Sequence, residues 1–98
     1  TALRMAQRAV EIEPTADTLD TLGYVYLRRG DSNEAVETLY QALQARPESG
    51  SIRYRLGTAL VAKGDDQIAQ AVLIEALKAP DFPESEAARQ ELARLQGS

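Results

Sequence analysis

The side chains that could carry chemistry in this chain are carboxylates, because the sequence of 98 residues contains no histidine and no cysteine. Zinc sites of the histidine or cysteine type, and catalysis by either residue, are therefore excluded. Four acidic pairs lie close in sequence, namely Glu11 with Glu13, Asp17 with Asp20, Asp65 with Asp66, and Glu84 with Glu86. General acid–base catalysis needs a desolvated carboxylate whose pKa differs from that of its partner. All four pairs lie near predicted helix ends, where acidic side chains stabilise the helix dipole or stay hydrated, so we predict no catalytic residue.

The stretch from Asp31 to Glu34 comes closest to a metal-binding motif. Its oxygen-bearing side chains are similar to the start of a calcium loop, but the central glycine and the bidentate glutamate at the twelfth position are missing. The glycines of the chain are isolated and follow predicted helices rather than strands, so none forms a phosphate-binding loop. We therefore predict no metal, no cofactor and no enzymatic activity.

The charge and the hydrophobicity of the chain limit its partners. The net charge is −4, whereas proteins that bind nucleic acid cluster lysine and arginine against the phosphates. No apolar run approaches the roughly 18 residues that span a membrane. We therefore expect neither nucleic-acid binding nor membrane insertion, and no feature of the sequence indicates a cellular compartment.

The elements that carry these side chains repeat along the chain. Eight residues return 34 positions later: Leu22, Gly23, Gly30, Asp31, Ala35, Leu39, Ala42 and Leu43 recur as Leu56, Gly57, Gly64, Asp65, Ala69, Leu73, Ala76 and Leu77. The first residues match the same pattern at an offset of 33, since Ala2, Ala9 and Pro14 correspond to Ala35, Ala42 and Pro47. A fixed period of this length is typical of a repeat array, in which each unit buries its apolar face against the next.

Each unit combines two helical stripes of apolar residues with a turn between them. Gly30 and Gly64 can adopt the left-handed conformation that ends a helix, and Asp31 and Asp65 follow where a residue can cap the next helix. Asp31 and Glu34 together fit a capping box. Prolines end the other helices. We predict six helices and no strand, over residues 2–13, 16–29, 32–45, 50–63, 66–78 and 84–95.

This pattern resembles the tetratricopeptide repeat, whose signature joins W-x2-LG-x2-Y to a later A-x3-F and a proline. The first whole unit reads Leu19-x2-Leu22-Gly23-x2-Tyr26, Ala35-x3-Leu39 and Pro47, and the second reads Arg53-x2-Leu56-Gly57-x2-Leu60, Ala69-x3-Leu73 and Pro80. The match covers roughly residues 2–80. Arg53 and Asp81 depart from it, at the positions of a large apolar residue and of the closing proline.

The resemblance implies an all-α fold, an antiparallel helix-pair solenoid that forms a single domain over residues 1–98. We expect 1–15 to be the second helix of a truncated repeat, 16–49 and 50–83 to be repeats, and 84–98 to be a C-terminal capping helix. The tail from Phe82 to Leu95 resembles the end helix that follows the last repeat in many bacterial arrays. Because the chain opens inside a helical pattern without an initiator methionine, we expect a piece of a longer protein. The resemblance of the tail implies that this piece is the C-terminal fragment of a bacterial multi-repeat protein.

Small residues recur where the two helices of a pair would approach closely. Gly23 and Gly57 occupy that place on the first helix of each unit, and Ala35 and Ala69 occupy it on the second. A larger side chain would force the helices apart, whereas the repeated leucines fill the space between them. We interpret these residues as structural.

The resemblance also implies a binding surface, because the first helix of each repeat lines a concave groove that takes an extended peptide or a helix. We therefore expect a non-enzymatic protein-interaction module whose groove is lined by Asp17, Asp20, Tyr24, Leu27, Arg28, Ser51, Tyr54, Arg55, Thr58, Val61 and Ala62. Tyr24 and Tyr54 are the expected anchors, because tyrosine offers a large contact area and loses little entropy. We expect a basic partner residue near Asp17 and Asp20, and an acidic one near Arg55 or Arg28. A tyrosine that merely covers a helix seam is the alternative.

Chaperone-binding members of the family hold a C-terminal carboxylate with lysine, asparagine and arginine at fixed groove positions. Here the corresponding positions hold Asp20, Tyr24, Ser51 and Arg55, so that only Arg55 could serve and Asp20 would repel the carboxylate. We do not expect that activity.

Self-association is the alternative function. Without a preceding partner helix, the first helix would expose Leu3, Met5, Ala6 and Val10. An exposed apolar patch favours contact with a second copy, most often about a two-fold axis. The sequence therefore leaves open a structural element that forms a weak homodimer through this helix.

Overall fold

The computed structural model describes residues 1–97, which form six α-helices and no strand. The helices are α1 (Ala2–Ile12), α2 (Ala16–Arg29), α3 (Ser32–Ala45), α4 (Gly50–Lys63), α5 (Asp66–Ala76) and α6 (Ser85–Leu95). The predicted all-α helix-pair fold is confirmed. Helix α5 ends two residues before its predicted end, because the N–H groups of Lys78 and Ala79 donate to carbonyls only three residues back. The predicted capping segment 84–98 is described as far as residue 97, and Ser98 lies outside the described residues.

The helices form antiparallel pairs that stack along the chain. The most extensive contacts join α2 to α3 and α4 to α5, and α3 also packs against α4. Asp17 at the start of α2 pairs with Arg46 just after α3, as an antiparallel arrangement requires. The first helices of successive units also meet, because α2 contacts α4 and α4 contacts α6. The resulting body is elongated, with extents of 41 × 27 × 18 Å.

Two glycines allow the paired helices to approach closely. A Cβ atom added to Gly23 would lie 2.5 Å from Cγ of Leu39, and one added to Gly57 would lie 2.8 Å from Cδ2 of Leu73. Both leucines are fully buried. The opposing alanines that the sequence predicted to be structural are also buried, namely Ala35, Ala42, Ala69 and Ala76.

The turns inside the two units are built by glycine, but not by the predicted caps. Gly30 and Gly64 have φ angles of 84° and 96°, the left-handed conformation that their sequence position predicted. The predicted capping box of Asp31 and Glu34 is wrong, because neither Asp31 nor Asp65 makes a side-chain capping bond. Asp31 has ψ of 69°, whereas a residue that caps a helix N-terminus is usually extended. Its carboxylate instead accepts a hydrogen bond of 2.9 Å from Nε of Arg29.

A capping box does occur at the start of α2. Thr15 is extended, with φ of −97° and ψ of 169°, and its hydroxyl accepts a hydrogen bond of 3.1 Å from the N–H of Thr18. The Thr18 hydroxyl in turn accepts a hydrogen bond of 2.9 Å from the N–H of Thr15. Threonine therefore takes the place that glutamate or glutamine holds in the usual motif.

Helix α6 packs against α5 and α4. Phe82 in the preceding turn lies against Gly50 at the start of α4, where an added Cβ would come within 2.4 Å of the ring. The buried hydroxyl of Ser85 accepts a hydrogen bond from the N–H of Phe82 at 2.9 Å. Gln70 on α5 donates from its side chain to the carbonyl of Leu95 at 3.2 Å. Among residues 1–97, no helix has both the length and the apolar character needed to cross a membrane.

The first helix exposes a different set of residues from the one predicted. Ala6 is buried, and Leu3 and Val10 are half-buried, with Val10 packed against the cluster that contains Ala16 and Leu19. The prediction that Leu3, Ala6 and Val10 form an open patch is therefore wrong. Their side of α1 is covered by α2, so only Met5 of the predicted set is largely exposed.

Enlarging a buried alanine tests this packing. We expect Ala35→Leu and Ala69→Leu each to destabilise the fold by about 1–3 kcal/mol, because the added carbons find no space beside the paired helix. In a domain of this size the loss lowers the melting temperature by roughly 4–24 °C. Ala71→Leu is the matched control, since Ala71 is exposed on the same helix as Ala69. Calorimetry that gives all three variants the melting temperature of the parent would contradict the packing described.

The N-terminus of α2 has a side-chain cap and that of α3 has none, and the free energy of unfolding of two alanine variants measures this difference. We expect Thr15→Ala to lower the free energy of unfolding by about 1 kcal/mol, because it removes the hydroxyl bonded to the N–H of Thr18. Asp31→Ala should cost less, since that carboxylate makes no capping bond and only a partly exposed ion pair with Arg29. Urea titrations that show the reverse order would restore the capping role for Asp31.

Candidate partner-binding surface

Three of the predicted groove residues meet directly between α2 and α4. Asp20 and Tyr24 lie one turn apart on α2, so both project from the same side of that helix. Arg55 on α4 reaches this side, and its Nη1 lies 2.9 Å from Oδ2 of Asp20. The same guanidinium lies over the ring of Tyr24, with Cζ 4.8 Å from the ring centroid. Arg55 therefore ties the first helices of the two repeats together.

Tyr24 is an exposed ring held between two cations. Its side chain is 42% exposed, and Arg28, one turn further along α2, places Cζ 6.0 Å from the ring centroid. Nη1 of Arg28 also donates a long hydrogen bond of 3.4 Å to the tyrosine hydroxyl. Cation–π contacts at exposed sites contribute about 0.5–1 kcal/mol each, so they favour the observed orientation of the ring. We call this exposed ring the Tyr24 platform.

A cavity opens beside this platform. It has a volume of about 540 Å³ and lies between α2 and the start of α1. Its lining combines apolar side chains with the charges of two arginines, and consists of Thr1, Ala2, Leu3, Tyr24, Val25, Arg28 and Arg29. The sequence did not predict this extension, because it depends on where the N-terminal end of α1 lies relative to α2.

Other predicted groove residues are engaged within the chain. Leu27 and Val61 pack against the main core cluster. Thr58 donates from its hydroxyl to the carbonyl of Tyr54 at 3.1 Å, and Tyr54 is half-buried. Ala62 is exposed.

The start of the α4 surface is acidic, and one residue there was not predicted. Ser51 donates from its hydroxyl to Oε1 of Glu84 at 2.6 Å. In the sequence, Glu84 stands out only as one of an acidic pair with Glu86. The turn before α6 brings its carboxylate to α4, and no local pattern indicates that approach.

Most charges of the surface are neutralised within the chain. Asp17 accepts a hydrogen bond of 2.8 Å from Arg46, and Asp20 pairs with Arg55. Asp17, Asp20 and Arg55 each have a partner within the chain, and the expected basic partner residue near the two aspartates and acidic one near Arg55 stay predictions. Arg55, the one residue that could hold the C-terminal carboxylate of a partner, already pairs with the carboxylate of Asp20. Within residues 1–97, Arg28 is the cation of this surface that makes no ion pair.

Burial has the largest effect on the pKa of Asp20. Its Oδ1 atom is buried and has no hydrogen-bond partner in the described part of the chain. Desolvation raises the pKa of Asp20 above its usual range, although the charge and hydrogen bond of Arg55 act in the opposite direction. The neighbouring carboxylates of Asp17 and Glu84 raise it further. The pKa of Asp17 is lowered instead, because the exposed carboxylate is hydrogen-bonded to Arg46.

No group of acidic side chains within residues 1–97 converges closely enough to hold a metal ion.

The paired helices and the surface formed by the first helices of the pairs define a helical repeat protein. The family model described as tetratricopeptide repeat matches residues 26–92, which is more than half of the chain. The chain therefore belongs to the tetratricopeptide repeat family. Domains of this family are non-catalytic repeats that generally mediate protein–protein interactions. A search of curated proteins finds no significant match to the chain.

The two aspartates should titrate in opposite directions. By carboxyl NMR, we expect the pKa of Asp17 to lie below and that of Asp20 above the usual aspartate value of about 4. Because the pKa of Asp20 is raised in the folded state, its contribution to stability is present at low pH. That contribution is lost as the pH rises from about 4 through the folded-state pKa.

The pKa of Asp17 is lowered, so its pH dependence has the opposite sign. Its contribution to stability is lost as the pH falls below about 4. Asp20→Asn removes the first component and Asp17→Asn removes the second, so each variant is the control for the other. A normal or lowered pKa for Asp20 would show that the Arg55 ion pair outweighs burial.

Proposed function

We propose that this chain is a non-enzymatic protein-interaction module and that the surface formed by α2 and α4 is its groove for a peptide or helix of a partner protein. The observation that carries the proposal is the exposed ring of Tyr24, ordered by Arg55 and flanked by Arg28. Binding hot spots are enriched in tyrosine and arginine, and a ring that is ordered in advance loses less entropy on binding.

The partner chemistry follows from what is left unpaired. Arg28 is the cation at this surface without an ion pair in residues 1–97, so an acidic partner residue would find its complement there. The cavity beside Tyr24 offers apolar contact through Leu3 and Val25. We therefore propose an apolar side chain of the partner against Tyr24 and a carboxylate next to Arg28. Tyr54 is half-buried and offers less free surface, so Tyr24 takes the leading role.

Self-association through α1 is the second candidate, and the exposure of Met5 and Ile12 favours it, since each is 73% exposed. The charges of the same face oppose it. A two-fold contact that buries Met5 against Ile12 of a second copy brings the Arg8 side chains of both copies close to the symmetry axis. Like charges at a desolvated contact are unfavourable. We therefore rank the groove above the homodimer.

A matched pair of tyrosines tests the groove. Peptides selected from a random display library on the whole chain should contain acidic and apolar residues. We expect Tyr24→Ala to weaken a selected peptide by about 2 kcal/mol or more, roughly thirtyfold, because it removes the central ring of the surface. Tyr40→Ala is the control, since Tyr40 on α3 is also 42% exposed but lies on a second helix of a pair.

Isothermal titration and thermal melting of the same variants separate binding from stability. The proposal requires that Tyr24→Ala lose affinity while its melting temperature stays close to that of Tyr40→Ala. Equal affinities for the two variants would place the binding surface elsewhere. A parallel loss of stability and affinity would make Tyr24 a packing residue.

A further inference from the structure

The ion pair between Arg55 and Asp20 satisfies only part of the aspartate. Nη1 of Arg55 lies 2.9 Å from Oδ2 of Asp20. The other carboxylate oxygen, Oδ1, is buried and accepts no hydrogen bond within residues 1–97. A buried oxygen without a donor is unfavourable, because it has lost its hydrogen bonds to water and gained none in exchange. Arg55 therefore compensates the ionised form of Asp20 only in part.

The charged groups that face Asp20 come from several elements. Asp17 lies one turn before it on α2, Arg55 belongs to α4, and Glu84 approaches from the turn before α6. Arg46, just after α3, also lies within electrostatic reach, but it is hydrogen-bonded to Asp17. Burial and the two neighbouring carboxylates disfavour the ionised form of Asp20, whereas the two arginines favour it.

Arg55 is accessible to a partner as well as to Asp20. Its side chain is 25% exposed, and its guanidinium lies over the ring of Tyr24, the proposed anchor of the groove. A guanidinium carries several N–H donors, and one oxygen of Asp20 does not use them all. A carboxylate brought to the Tyr24 platform therefore finds donors on Arg55. While Asp20 is ionised, the same carboxylate also meets the like charges of Asp20 and Glu84, which oppose its approach.

We propose that Arg55 is an exchangeable cation of the groove: Asp20 holds it in the free chain, and a glutamate or aspartate side chain of the partner takes it over when Asp20 takes up a proton from solvent. Protonation removes the negative charge of Asp20, so its repulsion of the incoming carboxylate and its attraction for Arg55 end together. This exchange rests on the proposed groove, in which one carboxylate lies next to Arg28, and adds a second carboxylate on Arg55.

The exchange makes the binding of an acidic segment depend on pH. Burial already raises the pKa of Asp20 in the free chain, and loss of Arg55 to the partner raises this pKa further. The complex therefore binds more protons than the free chain, and its affinity rises as the pH falls toward the pKa of Asp20 in the complex. The chain has no histidine, and ordinary carboxylates titrate at about 4, so few other groups titrate between about pH 5 and about pH 6.5.

A glutamate-containing peptide selected on the whole chain, synthesised with an amidated C-terminus, tests the exchange. By fluorescence anisotropy we expect its affinity to rise at least about threefold from about pH 6.5 to about pH 5, where its own glutamates stay largely ionised. Replacing its glutamates by glutamine one at a time should abolish the rise at the position that meets Arg55. Isothermal titration in two buffers of different ionisation enthalpy should show that protons are taken up on binding.

Two pairs of variants assign the proton and the cation. Asp20→Asn resembles the protonated carboxyl, so it should bind at about pH 6.5 as tightly as the parent does at about pH 5 and show no rise. Asp17→Asn should keep the rise, because Asp17 is exposed and paired with Arg46. Arg55→Gln should lose the rise, whereas Arg28→Gln should weaken binding at both pH values and keep it. Thermal melts check the fold of each variant, and the proton count of the parent stands if Asp20→Asn melts early.

Different results would overturn the exchange and the groove. An affinity that stays flat or falls on acidification would mean that Arg55 remains on Asp20 in the complex. A rise that persists in Asp20→Asn or in Arg55→Gln would place the proton or the cation elsewhere. In these cases a loss of affinity in Tyr24→Ala would retain the groove, and only the exchange would be wrong. Peptides that bind Tyr24→Ala as tightly as the parent would remove the groove and the exchange with it.

Discussion

The close approach of two helices at a glycine is the constraint on which the rest of this structure depends. Leu39 and Leu73 can be fully buried only because Gly23 and Gly57 leave room for them. That contact fixes the distance and the rotation of each helix pair, and hence the face that each first helix turns away from the core. The positions available for binding are those left over once this packing is satisfied.

Arg55 adds a second level of order to that framework. It joins Asp20 and Tyr24 across the boundary between the two repeats, where few other contacts connect the first helices. Burying the carboxylate of Asp20 costs desolvation free energy. The same arrangement places the Arg55 guanidinium over the ring of Tyr24. Desolvation offsets much of the attraction in a partly buried ion pair, so such a pair is weak evidence for stability. In this chain the oriented group is the aromatic ring that we propose as the anchor.

The sequence predicts the helices well, because their signals are local. Apolar periodicity and the glycines at positions 30 and 64 mark where helices run and end. Capping was predicted poorly, since it depends on a backbone angle that the residue type does not fix. Thr15 has that angle and Asp31 does not.

In the candidate site, too, some features follow from local sequence patterns and others depend on how the helices pack. The face that carries Asp20, Tyr24 and Arg55 follows from the repeat. That Arg55 binds Asp20 and leaves Arg28 unpaired follows only from the distances between helices. That Met5 is exposed as predicted, whereas Val10 is half-buried, likewise depends on how α1 rotates against α2, which no local pattern records.

The stacking of helices mainly on their neighbours in sequence also determines how the molecule opens. Helix α1 rests on α2 alone, and α6 has few contacts, whereas α3 and α4 are held on both sides. In arrays of this kind, stability is close to a sum of repeat and nearest-neighbour terms. Amide protons should therefore exchange with solvent fastest at the two ends and slowest in the middle, as successive units open. In the described part of the chain, α1 and α6 are thus the helices that separate most readily from their neighbours.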